Sequence, residues 1–485
     1  MKKTYYITTT LPYVNAKPHV GHALEFVRAD VAARFKKALG YKIFFNTGTD
    51  EHGQKLYEVA LSESMTPQEY VNKNVIFFKK LLPSLGILAD VHFIRTTDDI
   101  HIRAAKELWQ KVEHNGYIYK KKYRAKYCVG CELEKTDSDL VNSRCPEHPN
   151  KELQTIDEEN YFFKFSAFQD KLIQLYKSRP DFVLPEIRFK EIRSFVESGL
   201  RDFSISRLKS KIPWGIDIPD DNDHVMYVWF DALTGYISSL GWPDNVETFN
   251  EYWVQGTPTQ YCGQDNLRQQ SAIWQAMLMA AELPNSYQII INGFATGASG
   301  IKMSKTIGNV IDPMELIEHY GTEAFRYYVL RHIHPWDGSP ITHELFHDAY
   351  NAHLVNGIGN TVSRLLALTE KYLDEVEIFD DQKLPAKWLE AMHAYRFDVA
   401  CNIIWEEISS IDRSISETEP YKTTRTNLKK TVVYLNNCLN RLYKIGRMLE
   451  PLLPATASQI LNAIQTNLKP KNMFERKIPL SASKI

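Results

Sequence analysis

What this chain of 485 residues lacks narrows its class before any motif is read. No apolar stretch approaches the roughly 20 residues that a membrane-spanning helix requires. Its start, Met1-Lys2-Lys3-Thr4-Tyr5-Tyr6, has no long apolar segment of the secretory kind, so a soluble cytoplasmic protein with no membrane partner is expected. A surplus of one charge is missing too. Against 59 Asp and Glu stand 58 Lys and Arg, a net charge of −1. That balance argues neither for nor against a nucleic-acid partner, because a footprint depends on local patches. Two exist, at Lys120-Lys121-Lys122 with Arg124 and Lys126, and from Lys422 through Arg447; a solvated face is an equally good reading of each.

Cysteine is scarce, with six in all. Three of them stand in Cys128-Val129-Gly130-Cys131 and Cys145-Pro146-Glu147-His148, a C-x2-C, x13, C-x2-H pattern. Two tight turns offering three thiolates and an imidazole suit tetrahedral zinc, and four protein ligands leave no open position, so the metal is expected to be structural. Disulfides are disfavoured in a reducing compartment. Cys262, Cys401 and Cys438 are isolated and read as core thiols.

Two further signatures stand far apart. Tyr5 to Thr10 reads as a buried strand; Leu24, Val27, Val31, Phe35 and Leu39 then recur at helical steps and end at Gly40. Ile43-Phe44-Phe45 supplies a second apolar run, completing a strand-helix-strand unit of the kind that builds parallel sheets. His19 and His22, in Pro18-His19-Val20-Gly21-His22, flank the helix start, where unpaired N–H groups attract anions and Gly21 admits a nucleotide closely. The second signature, Lys302-Met303-Ser304-Lys305-Thr306, follows the small residues Gly297-Ala298-Ser299-Gly300. Alone, the first also reads as two ordinary histidines at a helix start and the second as a solvated surface turn. Together they put two imidazoles and two ammonium groups within reach of one triphosphate, an arrangement that activates a carboxylic acid with ATP.

The chain resembles the class I aminoacyl-tRNA synthetases, specifically their methionine branch. The likeness is carried by Leu11-Pro12-Tyr13-Val14-Asn15 leading into His19 to His22, by Thr47-Gly48-Thr49-Asp50-Glu51-His52-Gly53, by Tyr227-Val228-Trp229-Phe230-Asp231-Ala232, and by Lys302 to Lys305. It implies activation of methionine as an adenylate and transfer to tRNA, with Mg2+ accompanying ATP. A synthetase for another apolar amino acid and a non-catalytic RNA-binding relative remain as alternatives. By resemblance, ATP meets His19, Gly21, His22, Gly263, Asp265, Lys302, Ser304 and Lys305, of which His19, His22, Lys302 and Lys305 are catalytic. The methionine pocket is lined by Leu11, Tyr13, Trp229, Ala232, Leu233, Tyr236, Gln270 and Trp274, with Asp50 on the α-ammonium.

There are departures from the family pattern. Asn266 and Gln270 stand where an apolar residue and a histidine are usual, Asn292 replaces a histidine, and Thr306 a serine.

The expected fold is α/β: a Rossmann-like parallel-sheet domain with a zinc-bearing insertion, then an all-α bundle. The expected boundaries are 1–97 and 223–293 for the two halves of the catalytic domain, with the sheet resuming near His224 and strands at Tyr227-Val228-Trp229-Phe230 and Gln288 to Ile291. The insertion takes 98–222, its zinc module about 120–150. Residues 294–343 hold the lysine loop and stem contacts, and 344–485 the helical domain. In the last, Leu428, Val432, Leu435, Leu439, Leu442, Ile445 and Leu449 predict one long helix capped by Asn427 and stopped at Pro451. Resemblance makes that domain the anticodon reader through Asn360, Arg364 and Tyr421. The dimerising domain of longer relatives does not follow, so a monomer is expected.

Overall fold

The computed structural model describes residues 3–131, 133–135, 137–297, 300, 311–378, 383–423 and 427–480. The chain divides into two compact units, Met1–Lys17, Gly40–Lys80 and Ala89–Ile291 in the first, and Pro18–Leu39, Leu81–Leu88 and Asn292–Ile485 in the second.

The strands of the first unit, in chain order, are β1 (Thr4–Thr9), β2 (Lys42–Thr49), β3 (His92–Arg95), β4 (Ile118–Cys128), β5 (Leu133–Lys135), β6 (Gln154–Phe163), β7 (Val183–Leu184), β8 (Phe203–Ser204), β9 (Ser206–Leu208), β10 (Asp217–Ile218), β11 (Asp221–Met226), β12 (Thr257–Gly263) and β13 (Gln288–Asn292). Six of them form the main sheet in the order β3-β2-β1-β12-β13-β7. Pairs β1–β2, β2–β3, β1–β12 and β7–β13 are parallel, with Ile7 between Phe45 and Thr259. The aromatic and β-branched run of β1 is buried from Tyr5 onward, as a central parallel strand demands. The order reverses between β1 and β12, which makes that junction the place where α/β sheets bind ligands. A second sheet, β5-β4-β6-β8, carries the cysteine turn at the end of β4.

Two expectations need correction. Tyr227-Val228-Trp229-Phe230 is not a strand: Tyr227 caps the helix Val228–Ser238. Its buried residues Phe230, Leu233, Tyr236 and Ile237 recur at helical steps, and Asp231 occupies the first turn, where a carboxylate is favoured. Nor does the main sheet resume near His224. That residue lies in β11, part of the separate antiparallel sheet β10-β11-β9, and the next main-sheet strand in chain order after β11 is β12. Within the expected insertion, Val183–Leu184 adds to the main sheet as its edge strand β7.

The core of this unit is aromatic. Trp109, fully buried, meets Tyr161 and Phe230 edge-on at ring-centroid distances of 5.4 and 5.2 Å. Each such tryptophan contributes, as an upper bound, roughly 4 to 6 kcal/mol of apolar burial.

The second unit is mostly helical, with one short parallel pair, Ala295–Thr296 against Ser339–Pro340. Val20–Ala38 is joined to Thr322–Arg331 through Asp30, which lies 2.8 Å from Arg326 with both side chains wholly buried and also takes Arg34 at 2.7 Å. Arg28, equally buried, donates to Asn292 Oδ1 and to the carbonyls of Val329 and Ile333. That contact gives Asn292 a structural use where a histidine was usual. The helix Leu428–Leu449 forms over the predicted span, and Asn427 Oδ1 caps it by accepting from the Lys430 N–H at 3.1 Å.

Candidate functional site

The first unit builds its site from the carboxyl ends of β1, β2 and β12. Beyond β1, Tyr13 bridges to Asp50 just past β2. The Asp50 N–H donates to the Pro12 carbonyl at 2.9 Å and the Val14 N–H to the Asp50 carbonyl at 3.2 Å. Leu11, Tyr13 and Asp50 are therefore neighbours, with Asp50 buried. Gly263 ends β12 and Asp265 follows it, beside Asn266, whose Oδ1 is buried without a hydrogen-bond partner among the described residues.

The helix Val228–Ser238 brings Trp229, Ala232, Leu233 and Tyr236 into the same unit. A Cβ on Gly235 would collide with Leu11 Cδ1, so this helix and the segment after β1 touch at that glycine. Tyr236 meets Trp274 edge-on at 5.9 Å and accepts a hydrogen bond from Gln270 Nε2. The Nε1 atoms of Trp229 and Trp274 are buried without partners among the described residues.

Beneath these residues lies a polar network that sequence reading missed. Asp231, wholly buried, takes His52 Nδ1 and His101 Nε2 on its two oxygens, each at 2.7 Å. Burial pushes its carboxyl up, but the His52 charge and the hydrogen bonds from His101 and His52 outweigh that and hold it at about 2. Glu51 is gripped by Arg95 through two 2.8 Å bonds, by Thr49 at 2.7 Å and by Thr97 at 2.6 Å, while its carbonyl accepts from Trp214 Nε1. The segments holding His52 and Asp231 were both recognised in the sequence. Their pairing leaves no sequence signal, since the two residues are 179 positions apart.

In the second unit, His19 caps the helix Val20–Ala38 by a reciprocal arrangement. Its Nδ1 accepts from the Gly21 N–H at 3.0 Å, and His22 Nδ1 accepts from the His19 N–H at 3.2 Å. An accepting nitrogen carries no proton, so each neutral ring holds its proton on Nε2. The rings stack with centroids 3.9 Å apart. A Cβ at Gly21 would lie 2.8 Å from His19 Cε1, so the glycine makes room for the folded-back imidazole. Lys302, Met303, Ser304, Lys305 and Thr306 lie outside the described residues.

The four expected metal ligands converge. Their donor atoms all lie within 4.8 Å of one another, with Cys131 Sγ 3.4 Å from Cys145 Sγ and 3.2 Å from His148 Nδ1, and Cys128 Sγ 3.9 Å from that nitrogen. Tetrahedral zinc would set such atoms about 3.5 to 3.8 Å apart, so the set fits. Burial lowers the His148 pKa, favouring the neutral ring a metal needs, and a Cβ at Gly130 would collide with that ring.

Farther along, a π-helical stretch, Tyr350–Gly359, ends at exposed Asn360. Arg364 donates to Asp412 and, at 3.3 Å, to Ser416. Tyr421, 47% exposed, donates to Glu419, and that hydrogen bond raises its phenol pKa against the smaller opposing charges of Lys422 and Arg364. Three residues of the basic stretch are paired with carboxylates: Lys422 with Glu419, Arg441 with Glu407, Arg447 with Glu450. The earlier patch is partly paired too, Lys120 with Asp221 and Lys126 with Asp137.

The sequence matches the family described as tRNA synthetases class I (M) over residues 5–156 and 136–366. It is similar to a protein named Methionine--tRNA ligase from Caldanaerobacter subterraneus subsp. tengcongensis, 39% identical over 98% of this chain and 74% of that one. Another of that name, from Synechocystis sp., is 38% identical over 94% and 88%. Among solved structures, Mycobacterium tuberculosis methionyl-tRNA synthetase in complex with methionyl-adenylate superposes with a TM-score of 0.88 at 32% identity, covering 98% of this chain and 99% of that one.

Proposed function

The chain belongs to the class I tRNA synthetases, in the branch of methionine–tRNA ligases, and from that membership we propose how its residues divide the work. The enzyme activates L-methionine with ATP to methionyl-adenylate and transfers the methionyl group to the 3′ end of tRNA. In this reading Asp50 accepts hydrogen bonds from the substrate ammonium. Leu11, Tyr13, Trp229, Ala232, Leu233, Tyr236, Gln270 and Trp274 line the side-chain pocket. Gly263 and Asp265 meet the nucleoside, and Gly21 and Ser304 the phosphate chain. As the methionine carboxylate attacks the α-phosphate, His19 and His22 direct their Nε2 protons at the oxygens gaining charge; Lys302 and Lys305 hold the departing pyrophosphate, and Mg2+ accompanies ATP. The observation that carries the pocket assignment is the Asp231 carboxylate: it fastens His52, two residues past Asp50, to the helix bearing four of the pocket residues.

Cys128, Cys131, Cys145 and His148 would hold a structural Zn2+, which when bound ties the two turns of the module together. As a functional division we propose 1–97 and 223–293 for catalysis, 98–222 for the insertion serving the tRNA acceptor end, although its strand Val183–Leu184 joins the main sheet, 294–343 for the lysine loop and 344–485 for the helical domain. Asn360, Arg364 and Tyr421 serve the anticodon. No helix among the described residues is long and apolar enough to cross a membrane.

Methionine-dependent ATP–pyrophosphate exchange tests the phosphate roles. Lys305→Ala is expected to slow exchange about 100-fold, the scale of one lost donor to developing charge, with methionine affinity little changed. Exchange at the wild-type rate would remove Lys305 from the mechanism.

A further inference from the structure

The cysteine module carries a cation that its four ligands do not account for. Lys135, at the end of β5, stands directly opposite Lys126 of β4 in an antiparallel ladder, a position in which two like charges repel. Lys126 is relieved at the surface: its side chain is 49% exposed and its ammonium lies 2.6 Å from Asp137. Lys135 is instead tucked in. Its side chain is only 10% exposed, and the carboxylate of Glu147, between Cys145 and His148, comes no nearer than 3.8 Å. A lysine so covered needs an anion close by. Sulfur supplies it. Burial disfavours the ammonium, but the charges of Cys131 and Cys145 act on it at close range and Cys131 also accepts a hydrogen bond from it, so it stays charged.

Three thiolates and a neutral imidazole around Zn2+ leave one negative charge unbalanced, and one ammonium cancels it. The three sulfurs are not equally protected. Cys128 and Cys145 are buried, whereas Cys131 is half-buried and is the one that an electrophile or oxidant from solvent can reach. Resting on the zinc assignment above, we propose that Lys135 is a positioning residue of the metal site: its ammonium donates to Cys131 Sγ, neutralises the zinc–thiolate cluster and shields its accessible sulfur from electrophiles. A thiolate held by a metal is already ionised, so a neighbouring donor can only draw on its lone pairs and make it a weaker nucleophile.

The test exposes the zinc-loaded full-length chain to N-ethylmaleimide. The Cys131 sulfur attacks the maleimide double bond: an S–C bond forms, the zinc–sulfur bond breaks and the second maleimide carbon takes a proton from water. Metal release is followed with a chromophoric chelator, and the labelled cysteine is identified by mass spectrometry. Lys135→Gln, which keeps the length but not the charge, releases zinc about tenfold faster, with label first on Cys131, and binds zinc about 10- to 100-fold more weakly. Lys135→Arg keeps a charge and N–H donors and holds both values near those of the wild type, a rescue that lost packing would not predict. Lys126→Gln, in the same ladder but paired with Asp137, leaves both unchanged. A wild-type protein that carries no zinc would overturn the ligand assignment and this proposal with it. Zinc present, alongside wild-type release and affinity in Lys135→Gln, a Lys135→Arg no better than Lys135→Gln, or equal losses in Lys126→Gln, would overturn the role of Lys135 alone. If Lys135→Gln does not fold, acetylation of the zinc-loaded wild type by an N-hydroxysuccinimide ester decides: Lys135 reacts more slowly than Lys126 until a chelator strips the metal, and equal rates in the loaded protein would overturn the proposal.

Discussion

Asp231 is a charge buried on purpose at the level of a single side chain. It sits in the first turn of the helix Val228–Ser238, where the helix dipole favours an anion, and two imidazoles satisfy its oxygens. Its folded pKa of about 2 lies below the ordinary aspartate value of 3.8. The charged form is therefore the one folding favours: its contribution is complete above about pH 4 and is lost as pH falls toward 2. Asp231→Asn keeps an acceptor for only one of the two buried rings and sets an amide NH2 against the other, which should cost about 3 kcal/mol at pH 7. Urea midpoints measured from pH 5 down to 3 should fall more steeply for the wild type than for the variant. Parallel slopes would mean that Asp231 carries no such linkage. Nothing in the sequence announces this network, because one carboxylate and two histidines from three distant segments follow no spacing rule.

Elements were legible where their signals were long. The helix Leu428–Leu449 shows apolar positions at helical steps from Leu428 to Leu449, a capping asparagine and a proline stop, β1 is an aromatic and β-branched run, and β13 centres on Ile289-Ile290-Ile291. Short runs failed. Four residues, Tyr227 to Phe230, carry too few positions to separate a strand from a buried helix, and β12 was overlooked because Pro258 and its polar neighbours disguise a central strand. The pocket residues were readable only through family resemblance, while their mutual contact depends on packing. Gly235 is such a contact, and two effects compete there. Alanine adds up to about 1 kcal/mol of helix propensity, but its methyl would displace Leu11. Since the obstacle is the flexible end of a leucine, Gly235→Ala should fold with stability within about 1 kcal/mol of wild type, yet raise the methionine KM several-fold. An unaltered KM would show that Leu11 repacks without touching the substrate.

For the molecule as a whole, the chemistry is divided among modules that separate assays can address. The metal module is testable without any turnover: the purified protein should carry one zinc per chain, and Cys145→Ser should lose it and become sensitive to protease between residues 128 and 148. Retained zinc in that variant would remove Cys145 from the ligand set. Adenylate formation needs no RNA, whereas charging does, so the proposed anticodon contacts can be tested in the charging step alone. Tyr421 is 47% exposed, and nearby Arg364 is steadied by Asp412. An exposed aromatic of this kind contributes about 1 to 3 kcal/mol when a base stacks on it. Tyr421→Ala should therefore lower kcat/KM for tRNA roughly tenfold or more in aminoacylation while leaving ATP–pyrophosphate exchange at its wild-type rate, and Tyr421→Trp, with a larger face, should retain or improve charging. Equal losses in both assays would mean that Tyr421 supports the fold and does not read RNA, because only a residue confined to the tRNA step can spare the exchange reaction.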